Sequence, residues 1–204
     1  MSTSTAAAPT TPTAATTGAA GGQTVWKIDP SHSVVEFAVK HMMFATVKGR
    51  FAAFAGEVVT HPDDPTEGSV SFSIDADSID TRDEKRDEHL RTNDFFSATE
   101  FPTMTFASTS VSGSGPTWQV TGDLTIRGVT RQVTLDTTFE GTASDPWGGS
   151  RAAFTATTEV DREQFGMTWN AALESGGVLV GKKVKIEIEA EAVLQAPAGT
   201  GGEV

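Results

Sequence analysis

Polar and apolar side chains alternate without a fault from Lys183 to Ala192. Lys183, Lys185, Glu187, Glu189 and Glu191 fall on one side, and Val184, Ile186, Ile188, Ala190 and Ala192 on the other. A repeat of two places successive side chains on opposite faces of a β-strand, here with charges outward and aliphatic groups inward. The same repeat recurs along the chain. Trp118, Val120, Leu124 and Ile126 share one parity, as do Val133, Leu135 and Phe139. Phe154 with Val160, Val70 with Phe72 and Ile74, Met104 with Phe106, and Val35 with Phe37 and Val39 continue it. These segments predict eight strands, near 33–41, 47–60, 67–75, 101–112, 117–127, 129–141, 148–161 and 178–194.

Turn-forming residues separate several of them, at His61–Pro65, Gly113–Pro116, Arg127–Gly128 and Asp145–Gly149. One stretch reads as a helix: 83–91 is charged, free of Gly and Pro, and preceded by Thr81 as a candidate cap. A second short helix is expected at 171–174. Strands do not alternate with helices, so a parallel βαβ sheet is disfavoured. Long antiparallel strands in sequence point to an up-and-down barrel or a sandwich. Strands of this length, roughly 33–45 Å at about 3.3 Å per residue, favour the barrel. The fold class is therefore all-β: an eight-stranded antiparallel barrel with one or two short helices. Such a barrel holds its own side chains or one slender ligand.

If the strands run up and down in order, the end reached at His41 (end A) receives the connections 42–46, 76–100, 128 and 162–177. The opposite end (end B) receives 61–66, 113–115 and 142–147. Long connections beside a rigid scaffold usually carry binding, so the mouth is expected at end A. His41, Arg131 and Lys182 have inward parity near that end, beside Lys48, Arg50 and Arg127. This basic rim suits an anionic or polar head group. The alternative is that these side chains reach outward to water at fraying strand ends. Phe95, Phe96, Phe101, Phe165, Met167 and Trp169 flank the same end, where two readings stay open: a packed plug or the lining of a ligand tunnel.

Composition narrows the partners. Residues 1–23 are low in bulky apolar side chains and carry no charge, and 196–204 read alike, so both are expected to be disordered tails around one domain at 24–195. The 204 residues hold 27 acidic and 15 basic side chains, a formal charge of −12. That excess repels phosphate backbones and anionic lipid surfaces, which argues against nucleic acid as a partner. No apolar run approaches a membrane span of about 18 residues, so no stable membrane insertion is expected. The N-terminus lacks the pattern of a secretory signal, and a cytoplasmic location is the expectation. Cysteine and tyrosine are absent, which removes disulfides, thiolate ligands and phenolic acid/base groups.

No nucleophile elbow, phosphate loop, dinucleotide glycine fingerprint or paired-histidine metal motif occurs. The four histidines, His32, His41, His61 and His89, are not spaced as metal ligands. Asp75, Asp77 and Asp80 lack the glycine and distal glutamate of a calcium loop. No catalytic residue, metal or cofactor is expected.

Several segments together resemble a known family. Trp26-Lys27-Ile28-Asp29-Pro30-Ser31-His32-Ser33 with Phe37–Met42, then Arg86–Phe96 with Phe101–Phe106, then Gly122–Thr130, Arg162–Met167 and Gly181–Val184 resemble, in order, the motifs of YceI-like domains. The resemblance covers about residues 24–195. It implies a lipocalin-like barrel that binds a polyisoprenoid or similar amphiphile, such as an isoprenoid pyrophosphate, a quinone or a fatty-acid derivative. Many members are secreted or periplasmic, and some are linked to stress responses.

The expectation is thus non-catalytic binding, transport or storage of a long-chain isoprenoid or similar lipid. Val35, Phe37, Val39, Phe72, Ile74, Met104, Phe106, Trp118, Leu124, Phe154, Ile186 and Ile188 are the candidate lining. His41, Arg131, Lys182, Phe165 and Trp169 complete the candidate ligand contacts at end A. Two alternatives stand beside it: an enzyme using His41 as acid/base on an isoprenoid-like substrate, and an interaction module with a packed barrel and a docking helix at 83–91. The sequence leaves a homodimer open.

Overall fold

The computed structural model describes residues 22–174 and 176–196. The proposed tails at 1–23 and 196–204 therefore fall almost wholly outside the described residues. The elements are β1 (Thr24–Ile28), β2 (Val34–His41), β3 (Ala45–Phe51), β4 (Phe54–Thr60), β5 (Ser69–Asp75), β6 (Ile79–Asp80), α1 (Glu84–Arg91), β7 (Thr103–Ser114), β8 (Thr117–Ile126), β9 (Val129–Ser144), β10 (Ser150–Asp161) and β11 (Val180–Leu194).

These strands form eight staves of a closed antiparallel barrel. β1 and β2 share one stave: β11 pairs with β1 at Ala192–Leu194 and with β2 from Val180 to Glu189. β3 and β4 share the next, since β3 pairs with β2 while β4 pairs with β1 and β5. The remaining staves follow in chain order, and the β1–β11 pairing closes the ring. Closure leaves each main stave paired on both sides. The strand expected at 47–60 is thus broken at Ala52–Ala53, and β1 precedes the expected first strand.

The break between β1 and β2 has a local cause and a long-range one. Pro30 has no N–H for the ladder. Ser33 fills the gap: its hydroxyl accepts from the Glu191 N–H at 2.9 Å and donates to the Glu191 carbonyl at 3.3 Å. The Asp29 carboxylate accepts from Ser31 N–H and from His32 Nδ1, fixing the turn. His32 thereby anchors this turn.

Two bulges adjust the inward parity. Between β9 and β10 the register shifts so that Phe154 faces Phe139 but Ala153 faces Gly141. Glu140 is the extra residue, and Gly141 takes φ 130°, which a side chain would resist. Between β7 and β8 the shift falls at Thr109.

End A is closed by protein. α1 lies there, capped by Asp83, whose side chain accepts from Arg86 N–H. Thr81, the expected cap, is instead buried, and its hydroxyl and N–H both donate to the buried Asp87 carboxylate. Arg86 donates to the Thr81 carbonyl, and Arg91 to the carbonyls of Asp77 and Ile79. Phe165 and Met167 pack under this cover with Phe51, Ile79, Met104, Ile126 and Val160, and Phe95 is buried against His89 and Trp169. The tight turn Arg127–Gly128 has φ 52° and 69°, the type I′ geometry that matches strand twist. The Arg127 guanidinium donates to Phe95 and Gly166 carbonyls, tying that turn to the plug. No helix forms at 171–174. Asn170 holds that segment extended, its amide exchanging hydrogen bonds with the Val180 backbone.

Candidate functional site: an apolar lumen open at end B

The half of the barrel away from the plug is hollow. A cavity of about 660 Å3 runs from the end-B rim to a floor near Ile74, Leu124, Thr158 and Ile186. That volume lies within the roughly 300–1,000 Å3 of small-molecule sites. The wall is built from the inward parity of nearly every stave: Ile28, Val35, Val58, Val70, Phe72, Phe106, Val120, Leu135, Ala156 and Ile188 among others. Its polar members are Thr60, His61, Ser69, Thr137, Thr142 and Thr158, with indole N–H groups at Trp26 and Trp118. Both indoles are satisfied, Trp26 by the Thr60 hydroxyl at 3.3 Å and Trp118 by the Gly115 carbonyl at 3.0 Å. They present flat apolar faces to the lumen without an orphaned donor.

Glycines shape the lumen at Gly56 and Gly122 and the packed core at Gly49. A β-carbon on Gly56 would lie 2.4 Å from the Phe72 ring, one on Gly49 the same distance from Phe37, and one on Gly122 2.6 Å from Phe106. Each ring therefore lies flat on a bare stretch of neighbouring strand rather than standing into the space.

Of the residues expected to line a site, Val35, Phe72, Ile74, Phe106, Trp118, Leu124, Phe154, Ile186 and Ile188 are on the cavity wall. Phe37 and Met104 belong to the packed core at end A. Phe165 is 1% exposed within the plug. Trp169 stacks edge-on with His89 and tilts against Phe95 in the same cover. Val39 is paired in β2 toward end A and away from the lumen.

The expected mouth at end A is corrected. His41, Arg131 and Lys182 do not reach the cavity. Lys182 Nζ pairs with Glu163 at 2.7 Å, which raises its pKa. Arg131 is exposed and donates to the Thr130 carbonyl. Arg50 pairs with Asp80, and Arg127 is spent on carbonyls. Parity reports the face of a strand and not the depth along it. The long connections gather at end A because they fill it. The rim is instead made by His61, Pro62, Pro65, Gly68, Ser69, Gly115 and Thr142 at end B. Trp26, Ile28 and Val58 were missed, although the alternation of Thr24, Trp26 and Ile28 marks a strand.

A titratable cluster lies outside the lumen, at the β1–β2 break. Asp29, His32 and Glu191 offer ligand atoms within 4.8 Å of one another. The Arg151 guanidinium bridges the two carboxylates, donating to Asp29 Oδ2 at 2.9 Å and to Glu191, and pairing with Asp145 at 3.3 Å. Hydrogen bonds from His32 and then Arg151 hold the Asp29 carboxyl well below the usual carboxylate range. Those carboxylates raise the Arg151 pKa in turn. This is a charge clamp whose cation is already in place. At end A, Arg162 is 3% exposed and donates to the carbonyls of Gly181, Val180 and Met167, with its charge over the Phe95 ring. Burial pushes its pKa down.

Known proteins share this architecture. A UPF0312 protein of Staphylococcus aureus strain USA300 is 41% identical over 169 residues, covering 82% of this chain and 96% of that protein. The crystal structure of Burkholderia cenocepacia BcnA superposes with a TM-score of 0.71 at 25% identity, over 80% of this chain and 98% of that one. A polyisoprenoid binding domain from Saccharophagus degradans shares the fold, with a TM-score of 0.58 at 14% identity over 82% of this chain and 97% of that one. Residues 26–192 match the YceI-like domain. The chain belongs to the YceI-like family.

Proposed function

We propose that the barrel binds one long, slender apolar molecule non-covalently through end B, as a carrier or store of an isoprenoid, quinone or fatty-acid-like chain. The observation that carries this reading is the lumen itself: a deep, nearly uninterrupted hydrocarbon wall in a barrel whose other half is packed solid. Removing apolar ligand surface from water contributes about 25 cal/mol per Å2, so binding needs no covalent step. The Saccharophagus domain, named for polyisoprenoid binding, has the same fold and supports the choice of ligand class. The hollow interior weighs against an interaction module with a filled barrel. His41 lies outside the lumen, and among the described residues its side chain makes no hydrogen bond to a carboxylate, which weighs against its use as an acid/base.

Native mass spectrometry of the full chain purified from its own host tests this. A bound lipid is expected as a mass adduct that organic extraction removes. Ala156→Trp, which fills the lumen where Phe106, Val120 and Leu135 meet, is expected to lose the adduct while remaining folded. A wild-type chain that carries no adduct and takes up no added lipid would sink the proposal.

A further inference from the structure

The placement of charge along the barrel says what kind of polar end the ligand carries. Among the lining residues there is no Lys, Arg, Asp or Glu, and His61 is the one titratable side chain. The segments that frame the rim, 61–68, 113–116 and 142–149, hold Asp63, Asp64, Glu67 and Asp145 and no Lys or Arg. Two cations lie nearby on the end-B half. Arg151 is committed to Asp29, Asp145 and Glu191. Lys27 is exposed and has the opposite parity to Trp26 and Ile28, which face the lumen. The basic groups that could receive an anion stand at end A, behind the plug.

We infer that the site selects a lipid whose polar end is an uncharged oxygen group, as in an isoprenoid alcohol or a quinone, over an isoprenoid phosphate. This rests on the binding reading above. A pyrophosphate brought to this rim loses water without gaining an ammonium or guanidinium partner, in the field of Asp63, Asp64 and Glu67. A hydroxyl or carbonyl meets neutral partners instead. Ser69 and Thr142 are exposed at the rim, and their hydroxyls make no hydrogen bond among the described residues. The His61 ring is held beside them by Gln23 at 2.6 Å, with Glu67 3.7 Å from its other nitrogen.

The test compares geranylgeraniol with geranylgeranyl pyrophosphate, two probes with one chain and different ends. Each is titrated into the full chain and followed by tryptophan emission, to which Trp26 and Trp118 on the wall contribute. The pyrophosphate is expected to bind about tenfold or more weakly at low salt, with the gap narrowing as salt rises. Asp63→Lys, which puts an ammonium on the rim segment at an exposed residue that does not line the lumen, is expected to strengthen pyrophosphate binding and leave the alcohol unchanged. Wild-type affinity for the pyrophosphate equal to or above that for the alcohol overturns the inference and leaves the carrier reading intact. Binding of neither probe overturns the carrier reading and the inference with it.

Discussion

Phe72 lies across Gly56. The two are register partners between β5 and β4, and a β-carbon at Gly56 would stand 2.4 Å from the ring. The aromatic thus fills the missing side chain of its neighbour and leaves the lumen clear.

Gly56→Ala is expected to tip the Phe72 ring into the cavity. The overpacking costs about 1–3 kcal/mol. Urea denaturation should show that loss, and a titration with a long-chain alcohol should show weaker uptake. Unchanged uptake would mean that the ring is free to move elsewhere.

The two ends of the barrel are expected to respond differently to the same kind of change. Lys182→Gln and Arg131→Gln, at the plugged end, should leave lipid uptake within about twofold of wild type, a surface-substitution effect. Val58→Glu, on the wall near the rim, should abolish it by burying a carboxylate. Isothermal titration of the three variants at one salt concentration separates these outcomes.

The Asp29 clamp predicts an acid limb in stability. Its folded pKa is depressed, so the ionised form stabilises the native state above the unfolded value near 3.9, and that stability drains as pH falls below about 4. Asp29→Asn should therefore melt at a lower temperature at pH 7. Its Tm should also fall less steeply than that of wild type between about pH 5 and pH 2. Arg151, His32, Glu191 and Asp145 share the site, so the residual slope reports the other carboxylates.

Arg162→Met is expected to destabilise the plug. Three backbone carbonyls lose a buried donor, a cost of about 2–4 kcal/mol taken together with the lost charge-assisted bonds. Hydrogen exchange should rise first at Phe95, Phe165 and Met167 and much less on β8 and β9. Uniform acceleration across the barrel would place Arg162 in the global fold rather than the plug.

The staves were legible because alternation survives wherever one strand face meets water: Lys183–Ala192 and Val129–Phe139 need no tertiary information. The breaks at Pro30 and Ala52–Ala53 were not, since each is set by a long-range partner, Glu191 in one case and Ser78 in the other. Nine candidate lining residues reached the lumen because inward parity is local. The end of the barrel that opens was misread because a plug of 84–101 and 162–167 is a three-dimensional event. The charged helix at 83–91 read as a docking face in one alternative, yet Arg86, Asp87 and Arg91 lash it to Thr81, Asp77 and Ile79. Arg86, Asp87 and Arg91, inside the segments that resemble the family's motifs, are such fasteners.

Closing the ring through β1 and β11 has a consequence for synthesis. Trp26 and Leu194 are register partners, so one of the earliest strands to leave the ribosome must wait for the last before its outer edge is covered. Non-local pairing of this kind slows folding and leaves a nascent edge open to other chains. During that interval the acidic balance of the chain supplies a mutual repulsion that keeps neighbouring nascent copies apart.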